Sequence, residues 1–376
     1  MKVLMCGRFD LFEKPGGDTV QIKNTATELQ KLGAEVDICT SSDRDFSAYD
    51  LIHIFQLDWI PEIYFFVKKA KDSQKKIVFS PIHHNIYEVK KFDDIYAFDF
   101  RRISRILFKD QFKRDTFKNL YRSVFDSRRL GPTLFSVLNG FKNMQRQILQ
   151  WSDVVLVQTE LEASDLKKTF GVENTWVKVP NGVGENYLDV SDLTNPLDIN
   201  DYVICVGRVE PRKNQLSIIE AMKKFREETK SDVSLVLIGY LGERKHFEYS
   251  GKFKKELEKN KWIKHITKVP YDRMPAYYKF SKVGVSASWF ETTGLTSIEA
   301  LFCGANAVAS GERARECLGN YASYCCPDNI DSIKEAIITQ YYLPRPVVDP
   351  ELRKIYTWKN AAEKTLNAYN NLLGKI

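Results

Sequence analysis

No stretch of this 376-residue chain approaches the ~20 consecutive apolar residues that span a bilayer, so no transmembrane helix is expected. The opening MKVLMCGRFD is apolar for too short a run to read as a secretory signal, and Arg8 interrupts it. Paired cysteine spacing is missing too. The seven cysteines, at positions 6, 39, 205, 303, 317, 325 and 326, mostly sit inside strand-like apolar runs. They read as reduced core thiols of a cytoplasmic protein rather than a zinc site or a disulfide framework. Internal repeats and low-complexity tracts are also lacking. Acidic metal motifs are scarce: Asp43-Arg44-Asp45 is the single Asp-x-Asp among 25 aspartates. Chance alone would supply roughly 1.7 such pairs, and this one sits in a polar loop, so it is not read as a metal site.

What is present is alternation. Short β-branched runs at 2–7, 35–40, 50–55, 76–82, 154–159, 176–180, 202–207, 233–239, 264–269, 283–288 and 305–310 read as strands. Helix-period segments such as 19–32, 215–229, 249–260 and 294–303 lie between them. Continuous apolar strands separated by helices predict parallel sheets covered on both faces. The polar, turn-rich segment 184–200 reads as a linker between an N-terminal half, 1–183, and a C-terminal half, 201–355, with a terminal helix at 356–376. Region 86–150 breaks the pattern as a basic helical insertion. Between Lys90 and Arg129 there are 12 Lys/Arg against 6 Asp, a net +6 out of +7 for the whole chain. Arg101, Arg105, Lys109 and Lys113 recur every four residues among apolar neighbours. That spacing predicts a basic amphipathic helix at a membrane surface or against an anionic acceptor, with a solvated insertion as the plainer reading.

The segment SASWFETTGLTSIEA, 286–300, carries the most chemistry. A strand, a Thr-Thr-Gly turn and a helix start at Leu295 make an anion site, because the first N–H groups of a helix lack intrahelical acceptors. Glu291 and Glu299 flank that turn eight positions apart. The spacing itself is weak, since 24 glutamates give roughly 1.5 such pairs by chance. Two others, 220/228 and 248/256, fall in charged helical segments, so the intervening glycine turn singles out this one. A phosphate with sugar hydroxyls on both sides describes a nucleotide sugar.

With that unit in hand, the chain resembles the family 4 retaining glycosyltransferases (glycosyl transferases group 1, GT-B fold). Gly16-Gly17 after the first strand is similar to the family's glycine loop. VPNGV at 179–183 and VGRVEPRKNQ at 206–215 match its interdomain and phosphate motifs. Glu291 and Glu299 match its E-x7-E signature, and Gly311 to Glu316 its following loop. Three positions depart from the pattern: Ala287 replaces a proline, Thr293 an aromatic, and Gly184-Glu185 an aspartate.

The resemblance implies an α/β GT-B architecture. Two Rossmann-like domains would face each other across a cleft, and the C-terminal helix would cross back to the N-terminal domain. It implies transfer of a sugar from a nucleotide-sugar donor to a hydroxyl acceptor, carbohydrate or lipid-linked, in bacterial cell-surface glycan or glycolipid synthesis. Arg208 and Lys213 would neutralise the donor diphosphate. Gly16, Gly17, Gly294 and Leu295 would approach it through the backbone. Glu291 would hold the transferred sugar and Glu299 the ribose. One of His83 and His84, with His84 preferred, would touch the sugar or receive a proton, while His53 reads as a core residue. No metal, cofactor or nucleic acid is expected. The expected location is cytoplasmic, with peripheral contact to the inner membrane face through 90–129. A nucleotide-sugar epimerase of the same fold and a non-catalytic glycan-assembly scaffold are the alternatives.

Overall fold

The computed structural model describes residues 1–14, 16–95, 101–125, 130–242 and 246–375. Contacts divide it into two units: 1–86, 103–182 and 358–376 in the first, 87–102 and 183–357 in the second. In the first, β1 (Lys2–Cys6), β2 (Glu35–Cys39), β3 (Leu51–Phe55), β4 (Lys76–Ser80), β5 (Val154–Val157) and β6 (Trp176–Lys178) form a parallel sheet in the order β2-β1-β3-β4-β5-β6. In the second, β7 (Tyr202–Val206), β8 (Leu235–Ile238), β9 (Ile263–Ile266), β10 (Ser281–Val285), β11 (Asn306–Ser310) and β12 (Ala322–Cys325) form another, in the order β12-β11-β10-β7-β8-β9. Strands such as LIHIF are buried along their whole length because helices cover both faces.

Both strand orders reverse once. The first reverses between β1 and β3, the second between β7 and β10. At such a switch point the loops after neighbouring strands lead to opposite faces and leave a crevice at the strands' carboxyl ends, where open α/β sheets bind ligands. The loops that matter below follow these four strands and their neighbours β4 and β8.

All eleven strands expected from sequence are present. The twelfth, β12, was not anticipated: only its end residues Ala322 and Cys325 are buried, with Ser323 and Tyr324 half-buried between them, so no continuous apolar run announces it. The run expected to continue as strand to Ser288 leaves strand geometry after Val285. The stretch read as a linker packs onto the second sheet, with Tyr187 and Leu197 buried in one core with Ile204 and Val236. The terminal helix, Trp358–Leu373, returns to the first unit. There its Tyr369 hydroxyl lies 2.6 Å from His53 Nδ1, and Ser80 Oγ lies 2.8 Å from the other ring nitrogen. Burial holds His53 down to about 3, neutral, as expected of a core histidine.

The basic region is corrected in one respect. Arg101, Arg105, Lys109 and Lys113 do not share a helix: one helix ends at Leu107 and the next starts at Gln111. Asp110 starts the second, its carboxylate accepting from the Lys113 N–H at 3.0 Å, while Arg114 donates to the Phe108 carbonyl at 2.7 Å. Spacing of four persists through a cap, so periodicity concealed the break. Asp99, Asp126, Arg128 and Arg129 of the counted charges lie outside the described residues. In the Asp-x-Asp loop, Asp45 accepts from the Ser47 N–H at 2.9 Å and Asp43 from the Ser41 hydroxyl at 3.1 Å, as turn formers do.

Candidate active site

In the second unit the site grows from the ends of β7 and β10. After β7 the chain turns through Gly207 and a short 3-10 turn, Pro211–Lys213, into the helix Gln215–Thr229. Gly239, after β8, must be glycine: its φ is +151°, and a Cβ would collide with the Gly207 carbonyl. Asn214 then clamps the neighbouring loops. Fully buried with φ +60°, it donates through Nδ2 to the Ala287 carbonyl at 3.1 Å and the Pro327 carbonyl at 2.7 Å. The Trp289 N–H adds a bond to the Arg212 carbonyl at 2.9 Å. These links bring residues nearly eighty positions apart into one cluster.

That cluster holds three cations and two carboxylates. Lys213 Nζ forms an ion pair with Glu291 Oε1. Arg212 lies 3.5 Å from the same oxygen, 3.2 Å from Glu210, and 5.5 Å from the Phe290 ring centre. Arg208 approaches Glu210 at 4.0 Å and is the most exposed of the three cations. Burial by itself would raise the Glu291 carboxyl, but Lys213 and Arg212 outweigh it and hold the group down at about 2. Burial likewise opposes ionisation of Glu210, which Arg212, Arg208 and Lys213 also bring to about 2. Both carboxylates are therefore charged at neutral pH, and the five side chains sum to +1.

Beside them Gly294, φ +70°, caps the helix Leu295–Phe302. A Cβ on it would come within 3.3 Å of the Ala314 methyl. The first-turn N–H groups of Leu295 and Thr296 have no intrahelical acceptor. Glu299, one turn into that helix, is buried against Tyr278 and Tyr271, whose hydroxyls donate at 3.1 and 3.3 Å. Burial dominates here. It pushes the carboxyl up to about 7, and the two hydroxyls only partly counter it.

Of the expected residues, Arg208, Lys213, Glu291, Gly294, Leu295 and Glu299 therefore belong to the second unit, and Gly16, Gly17 and His84 to the first. Gly16 starts the helix Gly17–Lys31 after β1, and a Cβ at Gly17 would meet nothing within 4 Å. The loop ahead of it is pinned by Arg8, which pairs with Asp10, bonds Asp18 at 2.6 Å, and stacks 5.0 Å from the Trp59 ring centre. After β4, Ile82 has φ +45°, a costly conformation for a β-branched residue, of the kind that gathers at functional sites. Asp58 bridges both histidines that follow: Oδ1 to His83 Nδ1 at 2.7 Å and Oδ2 to His84 Nδ1 at 3.2 Å. Burial opposes its charge, yet the histidines hold it below the usual carboxylate range. Buried Glu162 fixes the turn, accepting from the His83 N–H at 2.7 Å and the Gln158 N–H at 2.7 Å. His83 is enclosed, whereas His84 stays partly exposed.

Sequence reasoning missed Arg212, Glu210, Asn214, Tyr271, Tyr278 and Asp58. Arg212 had a signal, lying next to a chosen lysine. Glu210 had one too, standing two positions from both Arg208 and Arg212. Asn214, Tyr271, Tyr278 and Asp58 became visible only through partners distant in the chain.

Residues 195–345 match the family model described as glycosyl transferases group 1. O-antigen chain mannosyltransferase B of Escherichia coli is 26% identical over 183 residues. That match covers 46% of this chain and 46% of the relative, so the chain spans about half the length of the curated relative it matches. Among solved structures, sucrose-phosphate synthase from Thermosynechococcus elongatus superposes with a TM-score of 0.73 at 14% identity, covering 100% of both chains. HepE of Anabaena, in complex with UDP and glucose, gives 0.65 at 14% identity, covering 99% of this chain and 100% of that one. The chain thus has the GT-B glycosyltransferase fold over its length, and the segment matching glycosyl transferases group 1 contains every charge of the cluster around Glu291.

Proposed function

We propose that this protein is a retaining glycosyltransferase that moves a sugar from a nucleotide-sugar donor to a hydroxyl acceptor in surface glycan or glycolipid synthesis. The observation that carries the reading is the cluster at the β7–β10 switch point, where Lys213 and Arg212 pair with Glu291, Arg208 approaches Glu210, and the helix starting at Leu295 follows on the same loop. Cations and helix N–H groups suit a diphosphate leaving group, whose charge grows as its bond to the anomeric carbon breaks. Glu291, ionised and held in place, accepts hydrogen bonds from hydroxyls of the sugar. In this reading the cations and helix dipole perform the electrostatic work, without a bound metal. Glu299 faces the ribose, and Gly16, Gly17 and His84 keep the donor-side roles that the resemblance implies.

In the retaining route, the acceptor oxygen bonds to the anomeric carbon on the face the phosphate leaves. The departing phosphate takes the acceptor's proton. The bound UDP and glucose of HepE, and the mannosyl transfer named for the Escherichia coli relative, support the class of donor and product. Work at the cytoplasmic face of a membrane fits the basic charge between 90 and 129; no helix among the described residues is long and apolar enough to cross one.

A thermal-shift screen of the full chain against UDP- and GDP-sugars tests the reading. A true donor at 100 times its dissociation constant stabilises the native state by about 2.7 kcal/mol. Arg208→Ala is expected to abolish most of that shift. A wild-type shift and full transfer in Arg208→Ala would sink the assignment. Donor epimerisation without acceptor would identify an epimerase instead.

A further inference from the structure

The helix Leu130–Asn139 is built inside out. Its small polar residues Thr133 and Ser136 are buried, whereas Leu130, Leu134, Val137 and Leu138 are exposed, Leu138 at 86%. A helix packed on a water-soluble core shows the reverse, and a contiguous apolar strip of this kind marks a surface that meets something apolar. The next helix back in space, Gln111–Phe125, offers Phe112, Thr116 and Leu120 at spacing four. Together with Val137, Phe141 and Phe170 they line a cavity of about 680 Å³. That volume falls within the roughly 300–1,000 Å³ of small-molecule sites.

The cavity has a cationic rim. Lys113, Lys142 and Arg146 line it, and among the described residues none of the three forms an ion pair with a carboxylate. Lys142 Nζ instead lies 5.2 Å from the Phe112 ring centre, at the edge where the apolar wall meets solvent. Phe170 closes the inner end and packs 5.6 Å, centre to centre, from the His83 ring. Asp58 ties that histidine to His84.

We propose that this cavity, in the first unit, binds a single lipid phosphate: the apolar chain between the phenylalanines, the phosphate on Lys113, Lys142 and Arg146. Charge complementarity selects an anionic head, and the exposed apolar strip, which meets the cavity at Val137, selects a ligand that arrives from a bilayer. That such a lipid is the acceptor rests on the transferase reading; that it binds does not.

Titration of the full-length protein with dodecyl phosphate below its micellar concentration tests this. One molecule should bind per chain, and inorganic phosphate or dodecanol should bind at least about tenfold more weakly. Val137→Trp, which fills the cavity, and the double variant Lys142→Glu/Arg146→Glu should each weaken dodecyl phosphate at least about tenfold. Their melting temperatures without ligand should match wild type. Equal affinity for inorganic phosphate would overturn the proposal. So would undiminished binding by the folded Val137→Trp protein, or saturation only at many molecules per chain. If Val137→Trp does not fold, the charge-reversed pair and the two control ligands decide alone. The titration contains no nucleotide, so its failure leaves the donor-site reading standing, and loss of the donor-induced thermal shift leaves the lipid site standing.

Discussion

Glu291 and Glu299 belong to one short segment, and both are largely withdrawn from water, yet they are held in opposite states. The loop after β7 meets Glu291 with Lys213 and Arg212, which bring it to about 2. The short helical segments ahead of β10 meet Glu299 with the hydroxyls of Tyr271 and Tyr278, and it rises to about 7. A full positive charge at contact distance repays the desolvation of a carboxylate, whereas neutral donors repay only part of it. Two equally spaced acids thus have different chemistry: one is a permanent anion, and the other takes up a proton near neutral pH.

The largest break in this comparison comes from removing the anion or its partner. Glu291→Ala is expected to lower kcat/KM about 10²–10³-fold, as loss of one group acting on developing charge or on the bound sugar does. Lys213→Met should cost a similar factor and raise the Glu291 carboxyl. Steady-state transfer assays and a pH–rate profile read both. Undiminished transfer in Glu291→Ala would remove the residue from the site.

The next effect is on stability. Because Glu299 has a folded value near 7, above its ordinary 4.5, the native state binds the proton more tightly than the unfolded chain. Stability is therefore expected to fall as pH rises from about 4.5 to about 7, by about 1–3 kcal/mol. Glu291 does the reverse: its contribution is present above about 4.5 and is lost as pH falls toward about 2. Urea denaturation across pH should show the first slope flattened in Glu299→Gln and the second flattened in Glu291→Gln. A Glu299→Gln protein with the wild-type slope between pH 4.5 and 7 would contradict the assignment.

The smallest change sharpens the contrast. Tyr278→Phe deletes one donor to Glu299 and should raise that carboxyl further, costing about 1 kcal/mol above neutral pH. It should leave the low-pH limb governed by Glu291 untouched. Chemical denaturation at pH 8 and pH 4 separates the two.

Much of the architecture was legible beforehand for a simple reason. Parallel strands buried on both faces announce themselves as continuous apolar runs, and only β12, short and half-buried, escaped. The helix inferred from Arg101, Arg105, Lys109 and Lys113 failed because spacing registers like residues without registering the cap at Asp110. Within the site, the glycine turn and its flanking acids could be read because a helix start has a local signature. Nothing near Glu299 in the chain said that it would be buried against two tyrosines.

By itself, then, the sequence determined the alternation of strand and helix, the left-handed turn at Gly294, and which acids flank it. These depend on neighbours a few positions away, through backbone sterics and periodic burial. Only the tertiary structure decided what each acid faces. Lys213 is 78 positions from Glu291, Tyr278 is 21 from Glu299, and Asp58 is 25 from His83. Such partners are assembled by strand order, and the charge of a buried carboxylate follows from its partners.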